Sequence, residues 1–235
     1  MKTAIITGAS RGVGRAVAEM LAQDHWRLIL NCRSRFDLLE QEAEKLRTWT
    51  EVHTVHGPIT DEVLATLLGT TKAAILLVNN AGISTFNLAQ DVSDGELDEM
   101  LEANVKDMFR LTRALIPYML RTSEARILNM SSVWGVVGAS MESVYSLTKG
   151  AVNAFTEALA KELAPNHIPV NAIAIGCVDT DMNGWMSRED RAQLEDEIPY
   201  GRMCTPAEVA DFVRLLASAP TYLTGQIIRF DGGWI

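Results

Sequence analysis

The sequence predicts an α/β protein in which a mainly parallel sheet is covered by helices on both faces. Short β-branched apolar runs alternate with longer amphipathic stretches through most of the chain, the pattern of repeated strand–helix units. Several of those runs are continuous rather than alternating, as strands buried on both faces must be. A glycine-rich segment also joins the first strand to the first helix. The 235 residues, 48% of them hydrophobic, suffice for one substantial core, so residues 1–235 are read as a single domain.

In chain order, strands are expected over Thr3 to Thr7, Arg27 to Asn31, Glu51 to Val55, Ala74 to Asn79, Arg126 to Met130, Pro169 to Ile173 and Gln226 to Phe230. Between them, helices start near Gly14, Phe36, Asp61, Glu96, Tyr145 and Pro206. In the first helix, Val13, Val17, Met20 and Leu21 recur at helical spacing and face the sheet. The last opens with a proline at an early position and an acid in its first turn, both suited to a helix N-terminus. Cys177 to Gly201 breaks the regularity with a charged run, SREDRAQLEDE, before Pro199. This excursion, residues 177–201, is expected to cover a substrate site, with Met182, Trp185, Met186 and Tyr200 as a substrate wall or as packing against the domain or a neighbouring subunit.

Composition excludes several classes. The 21 Lys and Arg against 30 Asp and Glu give a net charge of −9, and no basic run is dense enough to track a nucleic-acid backbone. No apolar stretch approaches the roughly 20 residues needed to span a bilayer. The start, MKTAIITGAS, has no secretory pattern, so a cytoplasmic location is expected. Cys32, Cys177 and Cys204 are far apart and lack metal spacing, and His53 and His56 read as ordinary strand or loop residues. No metal is expected.

The turn TGASRGVG carries Gly8, Gly12 and Gly14 around a helix entry, with Ser10, Arg11 and Val13 between them. Such a turn lets the backbone approach a pyrophosphate, which the helix N–H groups and dipole then favour. Its place after the first strand points to a dinucleotide. After the second strand the chain reads LILNCRSRFD, with no acid before Asp37. An acid there would hold a free ribose 2′-hydroxyl and repel a 2′-phosphate. Arg33, Ser34 and Arg35, with Arg11 across the turn, suit the phosphate. The expected cofactor is therefore NADPH/NADP+ in preference to NADH/NAD+.

Asn79, Asn80, Ala81 and Gly82 end the apolar strand AAILLVNNAG, where small residues admit a cofactor and the Asn side chains can join strand ends. Tyr145 and Lys149 stand at i,i+4 on one helical face. An ammonium and an oxidised nicotinamide would favour the phenolate, and in reduction the phenol would donate a proton. Ser131 and Ser132 follow the strand RILNM, and a hydroxyl of one should reach the sheet edge to hold a substrate oxygen; spacing to the strand does not choose between them. Asn104 lies in a long helix, where its amide can deform the ladder and hold a water, or cap and pack.

Together, TGASRGVG, NNAG, Asn104, the serine and YxxxK resemble the classical short-chain dehydrogenase/reductase family, closest to its 3-oxoacyl-carrier-protein reductase branch, over essentially the whole chain. The resemblance implies a doubly wound Rossmann fold with a seven-stranded sheet. It implies that Ser132, Tyr145 and Lys149 form the catalytic serine, tyrosine and lysine set, because the family's serine precedes its tyrosine by 13 residues (145 − 13 = 132). Asn104 is implied to hold a water in a proton relay, and Gly176, Val178 and Thr180 to line the nicotinamide side with Asn79, Ala81 and Gly82. A homotetramer is implied, with the long helices and the C-terminal GGWI as contacts. Two positions depart from the family pattern: Ile175-Gly176 replaces Pro-Gly, which should loosen the nicotinamide loop, and Pro58 replaces an adenine-binding aspartate.

The expected reaction is NADPH-dependent reduction of a small-molecule ketone, with Tyr145 as general acid. Reduction of a 3-oxoacyl thioester on acyl carrier protein or coenzyme A is the alternative, followed by oxidation of a sugar or other secondary alcohol. Ser123 and Asn166 occupy the branch's two carrier-docking arginine positions, and Arg121, Arg126 and Lys161 offer a partial basic patch instead. A module that binds NADPH without turnover is the non-enzymatic alternative, which would not need Ser132, Tyr145 and Lys149 together.

Overall fold

Residues 2–184 and 186–235 are described by a computed structural model. Strands β1 (Thr3–Thr7), β2 (Arg27–Cys32), β3 (Val52–His56), β4 (Ile75–Asn79), β5 (Ala125–Ser132), β6 (Val170–Ile175) and β7 (Ile227–Phe230) form one sheet in the order β3-β2-β1-β4-β5-β6-β7. All its neighbouring pairs are parallel. The helices are α1 (Gly12–Gln23), α2 (Phe36–Leu46), α3 (Asp61–Leu68), α4 (Asp94–Leu101), α5 (Asp107–Met119), α6 (Trp134–Val137), α7 (Ser143–Leu163), α8 (Arg188–Glu197) and α9 (Pro206–Ala217). The seven-stranded doubly wound fold is as expected, with boundaries shifted by one or two residues. The helix expected near Glu96 is α4 and α5 joined by a π-helical turn, Glu102–Lys106, that contains Asn104.

Alternation along the strands builds two cores. Ile6, Leu30, Val78 and Leu128 face α1, α2 and α9 through Val17, Leu21, Leu39 and Val213. Their neighbours Ile5, Ile29, Leu77 and Ile127 face α3, α5 and α7 through Leu64, Leu115 and Leu159. Both faces are covered, which is why β1 and β4 are buried along their whole length and why their sequences are continuously apolar.

From β1 the chain crosses to β2 on one side, while β4 pairs with the other side. Connections leaving a sheet in opposite directions open a crevice at the strand C-termini. The excursion between β6 and α9 folds over that edge. Its base is closed by Asp179 N–H to Cys204 O at 2.8 Å and Cys204 N–H to Cys177 O at 2.9 Å. Arg191 on α8 forks both oxygens of Asp179 at 2.9 Å, a planar pairing that fixes direction as well as distance. Among the described residues no helix is long and apolar enough to cross a membrane, and no cluster of His, Cys, Asp and Glu could hold a metal ion.

One close approach sets the turn above β1. A Cβ on Gly14 would lie 2.3 Å from the Gly8 carbonyl oxygen and 2.5 Å from Asn80 Nδ2. Gly14→Ala should therefore lower the denaturant midpoint, since overpacking costs about 1–3 kcal/mol against the roughly 1 kcal/mol that alanine adds to a helix. An unchanged or higher midpoint would show that the turn yields without cost.

Candidate active site

The crevice is a cleft of about 850 Å³ reaching from Arg33, Ser34 and Arg35 at one end to Trp134, Met186 and Trp234 at the other. At the first end, the turn from Gly8 to Val13 forms its floor. Gly8 and Gly12 take φ of 66° and 56°, conformations that favour glycine. The Thr7 hydroxyl accepts the Asn80 and Ala81 N–H groups, both at 3.0 Å, while Asn80 Nδ2 donates to the carbonyls of Thr7 at 2.9 Å and Gly8 at 3.2 Å. Asn80 thus ties β4 to the turn and lines the cleft.

Asn79 lies elsewhere. It is 5% exposed, and its amide donates to Thr112 Oγ1 at 3.0 Å and Asn129 Oδ1 at 2.8 Å. Strand alternation turns it away from the cleft wall, so the edge contact expected of it falls to Asn80. Gly14 is likewise behind the wall, where its role is the close packing just described. Gly8, Ser10, Arg11, Gly12, Val13, Arg33, Ser34, Ala81, Gly82, Gly176, Val178 and Thr180 all line the cleft.

The residues at this end fit a dinucleotide phosphate. Helices α3, α4, α8 and α9 are capped by their own Thr60, Ser93, Ser187 and Thr205. Arg11 makes no such cap on α1, and no acid lies in its first turn, so its N–H groups face the cleft ready for an anion. Arg33, Ser34 and Arg35 are exposed beside them. Arg11 reaches across to Asp181 of the excursion at 3.5 Å; both side chains are exposed, and such a pair holds weakly. Pro58 is exposed and outside the cleft lining.

At the chemical end the two serines separate. Ser131 is buried and donates to Asn153 Oδ1 at 2.6 Å and to the Lys149 carbonyl at 3.3 Å. Ser132 accepts the Trp134 N–H at 3.2 Å and hydrogen-bonds the Tyr145 phenol.

Lys149 lies one helical turn beyond Tyr145, 5% exposed, and Nζ donates to the Met130 carbonyl at the end of β5 at 2.8 Å. Nζ stands 5.5 Å from the centre of the Tyr145 ring. Burial lowers its ammonium to about 8, because a desolvated cation with no carboxylate beside it is disfavoured. Burial and then the Glu142 carboxylate push the Tyr145 phenol up, against the hydrogen bond from Ser132. Tyr145 is held as a protonated phenol.

Asn104 stands behind Lys149. Its Nδ2 donates to Ile83 O at 2.9 Å and Thr148 Oγ1 at 3.0 Å, and its Oδ1 accepts Ile83 N–H at 2.8 Å. The π-helical turn displaces the amide toward the loop after β4, so it braces that loop against α7, and both amide protons are already committed. Ile175 is tied on both sides, Val133 N–H to Ile175 O and Gly176 N–H to Phe230 O, each 3.0 Å. Ile175 is the last residue of β6.

Three residues of the far wall carried no sequence signal. Trp234 packs edge-on against Trp134 at 4.8 Å and 62° and lines the cleft, while Gly232, Gly233 and Ile235 of the tail stay exposed. Glu142 enters the wall from the residue before α7. Met182 and Met186 line the cleft as expected, Tyr200 faces a smaller cavity of about 240 Å³ behind the excursion, and Trp185 lies outside the described residues. Arg126 is 8% exposed and bonded to Glu124 at the opposite edge of the sheet, so it cannot serve in a basic docking patch. Lys161 is some 16 residues along α7 from Tyr145, about 24 Å at 1.5 Å per residue.

The sequence profile of short chain dehydrogenases matches residues 2–191. The chain is 39% identical over 241 residues to an uncharacterized oxidoreductase of Bacillus subtilis, covering 99% of this chain and 98% of that one. It is 32% identical over 239 residues to a 3-oxoacyl-[acyl-carrier-protein] reductase of Vibrio cholerae, covering 99% and 96%. Among solved structures, a putative NAD(P)-dependent gluconate 5-dehydrogenase of Beutenbergia cavernae with NADP bound at low occupancy superposes with a TM-score of 0.92 at 31% identity, covering 99% of this chain and 96% of that one. The chain therefore belongs to the short chain dehydrogenase family and is an oxidoreductase of that family.

Proposed function

We propose that the protein is an NADPH-dependent reductase of free ketones, with Tyr145 as the general acid. The observation that carries this reading is that Ser132, Tyr145 and the buried Lys149 line one wall of the cleft together, with Nζ tied to the Met130 carbonyl. The bound nicotinamide would supply the hydride. Ser132 positions the carbonyl oxygen and steadies its developing charge. Tyr145 then gives its phenolic proton to that oxygen, and the Lys149 ammonium stabilises the phenolate left behind. Asn104 keeps Lys149 in register by bracing the Ile83 loop against Thr148; with both amide protons committed, a relay water would have to be held by other groups.

Arg11, Arg33 and Ser34 would hold the 2′-phosphate and pyrophosphate of NADPH, the turn from Gly8 to Val13 with Ala81 and Gly82 would pass under the cofactor, and Gly176, Val178 and Thr180 would flank its nicotinamide. The absence of acid between Cys32 and Asp37 supports NADPH over NADH. Similarity to carrier-protein reductases supports thioester reduction as a second reading. Against it stand Ser123 and Asn166 at the docking positions, the burial of Arg126, and the carboxylates Glu142, Asp181 and Glu197 lining the cleft. Exposed Phe109 and Leu147 on α5 and α7 support association of copies through these helices, in keeping with a homotetramer.

Tyr145→Phe should lower kcat for ketone reduction by roughly 10²–10⁴ while NADPH still quenches or shifts its own fluorescence on binding; retained turnover would remove Tyr145 from the acid role. Because burial lowers Lys149 to about 8, the ammonium is present below that pH and lost as pH rises through it. Reductive kcat/KM should accordingly be flat at neutral pH and fall above about 8; a rise over that range would contradict the assignment. Arg33→Ala should weaken NADPH by about tenfold to a hundredfold, the weight of one charge-assisted hydrogen bond, and leave NADH nearly unchanged in a fluorescence titration. Equal losses for both cofactors would place Arg33 away from the 2′-phosphate.

A further inference from the structure

Glu142 stands immediately before α7, three residues ahead of Tyr145. A carboxylate near a helix N-terminus is favoured by the helix dipole. Here it makes no cap bond and lines the cleft instead. The chain is held in that arrangement. Met141 takes a φ of 62°, a left-handed conformation that a side-chain-bearing residue keeps only when its surroundings impose it. Asn87 N–H donates to the Met141 carbonyl at 2.8 Å, and residues 87 and 142 form an isolated bridge.

Two neutral groups, the Ser84 hydroxyl at 3.0 Å and the Trp134 side chain, donate to the Glu142 carboxyl group. Among the described residues no Lys, Arg or His pairs with it; Tyr145 and Cys177 are the titratable groups that feel its charge. A carboxylate offers about four lone-pair sites, so two donors leave half of its capacity open toward the cleft. Lys149 gives no compensation, since its ammonium is engaged with Met130 O on the far side of the Tyr145 ring. Glu197, also on the cleft wall, adds charge of the same sign, while Asp181 is paired with Arg11.

We propose that Glu142 is a specificity-determining residue: its carboxylate accepts a hydrogen bond from an O–H or N–H group carried next to the reacting carbonyl, and it disfavours substrates that carry an anion there. The substrate class is thus a ketone with an adjacent donor, such as an α-hydroxy ketone, rather than an oxo acid. The inference rests on the ketone-reductase reading and deepens it. A donor on the substrate fills the open lone pairs of a group that is already partly desolvated, which neutral apolar ketones cannot do. An anion in the same place meets like charge in a partly water-excluded site.

The test compares kcat/KM for three compounds of matched shape, 1-hydroxybutan-2-one, pentan-3-one and 2-oxobutanoate, with NADPH, in the unaltered enzyme, Glu142→Gln and Glu142→Leu. Ratios taken within one enzyme cancel any general loss of activity, including the influence of Glu142 on Tyr145. The hydroxy ketone to pentan-3-one ratio is expected to be at least tenfold higher in the unaltered enzyme than in Glu142→Leu. The 2-oxobutanoate to pentan-3-one ratio is expected to rise at least tenfold in Glu142→Gln, which keeps the shape and loses the charge. Ratios that agree within threefold across all three enzymes would overturn the proposal and leave Glu142 as a strut for Ser84 and Trp134. An unaltered enzyme that binds NADPH yet reduces none of the three compounds would overturn the reductase reading itself, and this inference with it.

Discussion

The site depends on a buried ammonium with no counter-ion. Lys149 is 5% exposed, and among the described residues its ammonium donates to the Met130 carbonyl at the end of β5 and pairs with no carboxylate. A cation in this position is expensive to desolvate, and much of the local structure follows from accommodating it. A Cβ on Gly135 would lie 2.6 Å from the Lys149 carbonyl carbon, and one on Gly82 would lie 3.3 Å from Asn104 Oδ1 and 3.5 Å from Lys149 Nζ. Two glycines therefore let α6 and the loop after β4 close on the lysine. The π-helical turn delivers Asn104 to brace that loop. Desolvation then brings the ammonium near neutrality in its titration, where a modest change in surroundings alters its charge.

Charge is also divided along the cleft. Arg11, Arg33 and Arg35 stand at the end where α1 presents uncapped N–H groups, while Glu142, Asp181 and Glu197 line the wall with the excursion. The basic groups thus gather at the turn and the carboxylates Glu142 and Glu197 at the chemical end, with Asp181 between them. An anionic cofactor and an anionic substrate are thereby treated differently by the same crevice. The Arg11 to Asp181 pair spans the two regions, and a phosphate arriving at the turn would compete with Asp181 for that arginine.

How much was legible in the sequence follows from the range of the interaction concerned. Strand and helix identity is written in local periodicity, so all seven strands and the major helices could be read, and the turn TGASRGVG and the Tyr145 and Lys149 pair carry fixed spacings. That Asn80 and not Asn79 lines the cleft turns on strand alternation at a boundary, where an error of one residue exchanges the two faces. Ser131 and Ser132 are distinguished by Asn153 and Trp134, which are remote or on a separate element. Glu142, Trp134 and Trp234 meet at the cleft only through tertiary packing, and no local pattern announces them. Arg126 looked like surface because arginine usually is, but its place at the start of a central strand buries it.

The most direct measurement is the loss of NADPH absorbance with a free ketone and, separately, with a 3-oxoacyl thioester on acyl carrier protein at matched concentration. A cleft lined by Glu142, Asp181 and Glu197, with Arg126 buried and Ser123 and Asn166 at the docking positions, predicts faster turnover of the free ketone. Turnover of the carrier-bound substrate with none of the free ketone would contradict the account.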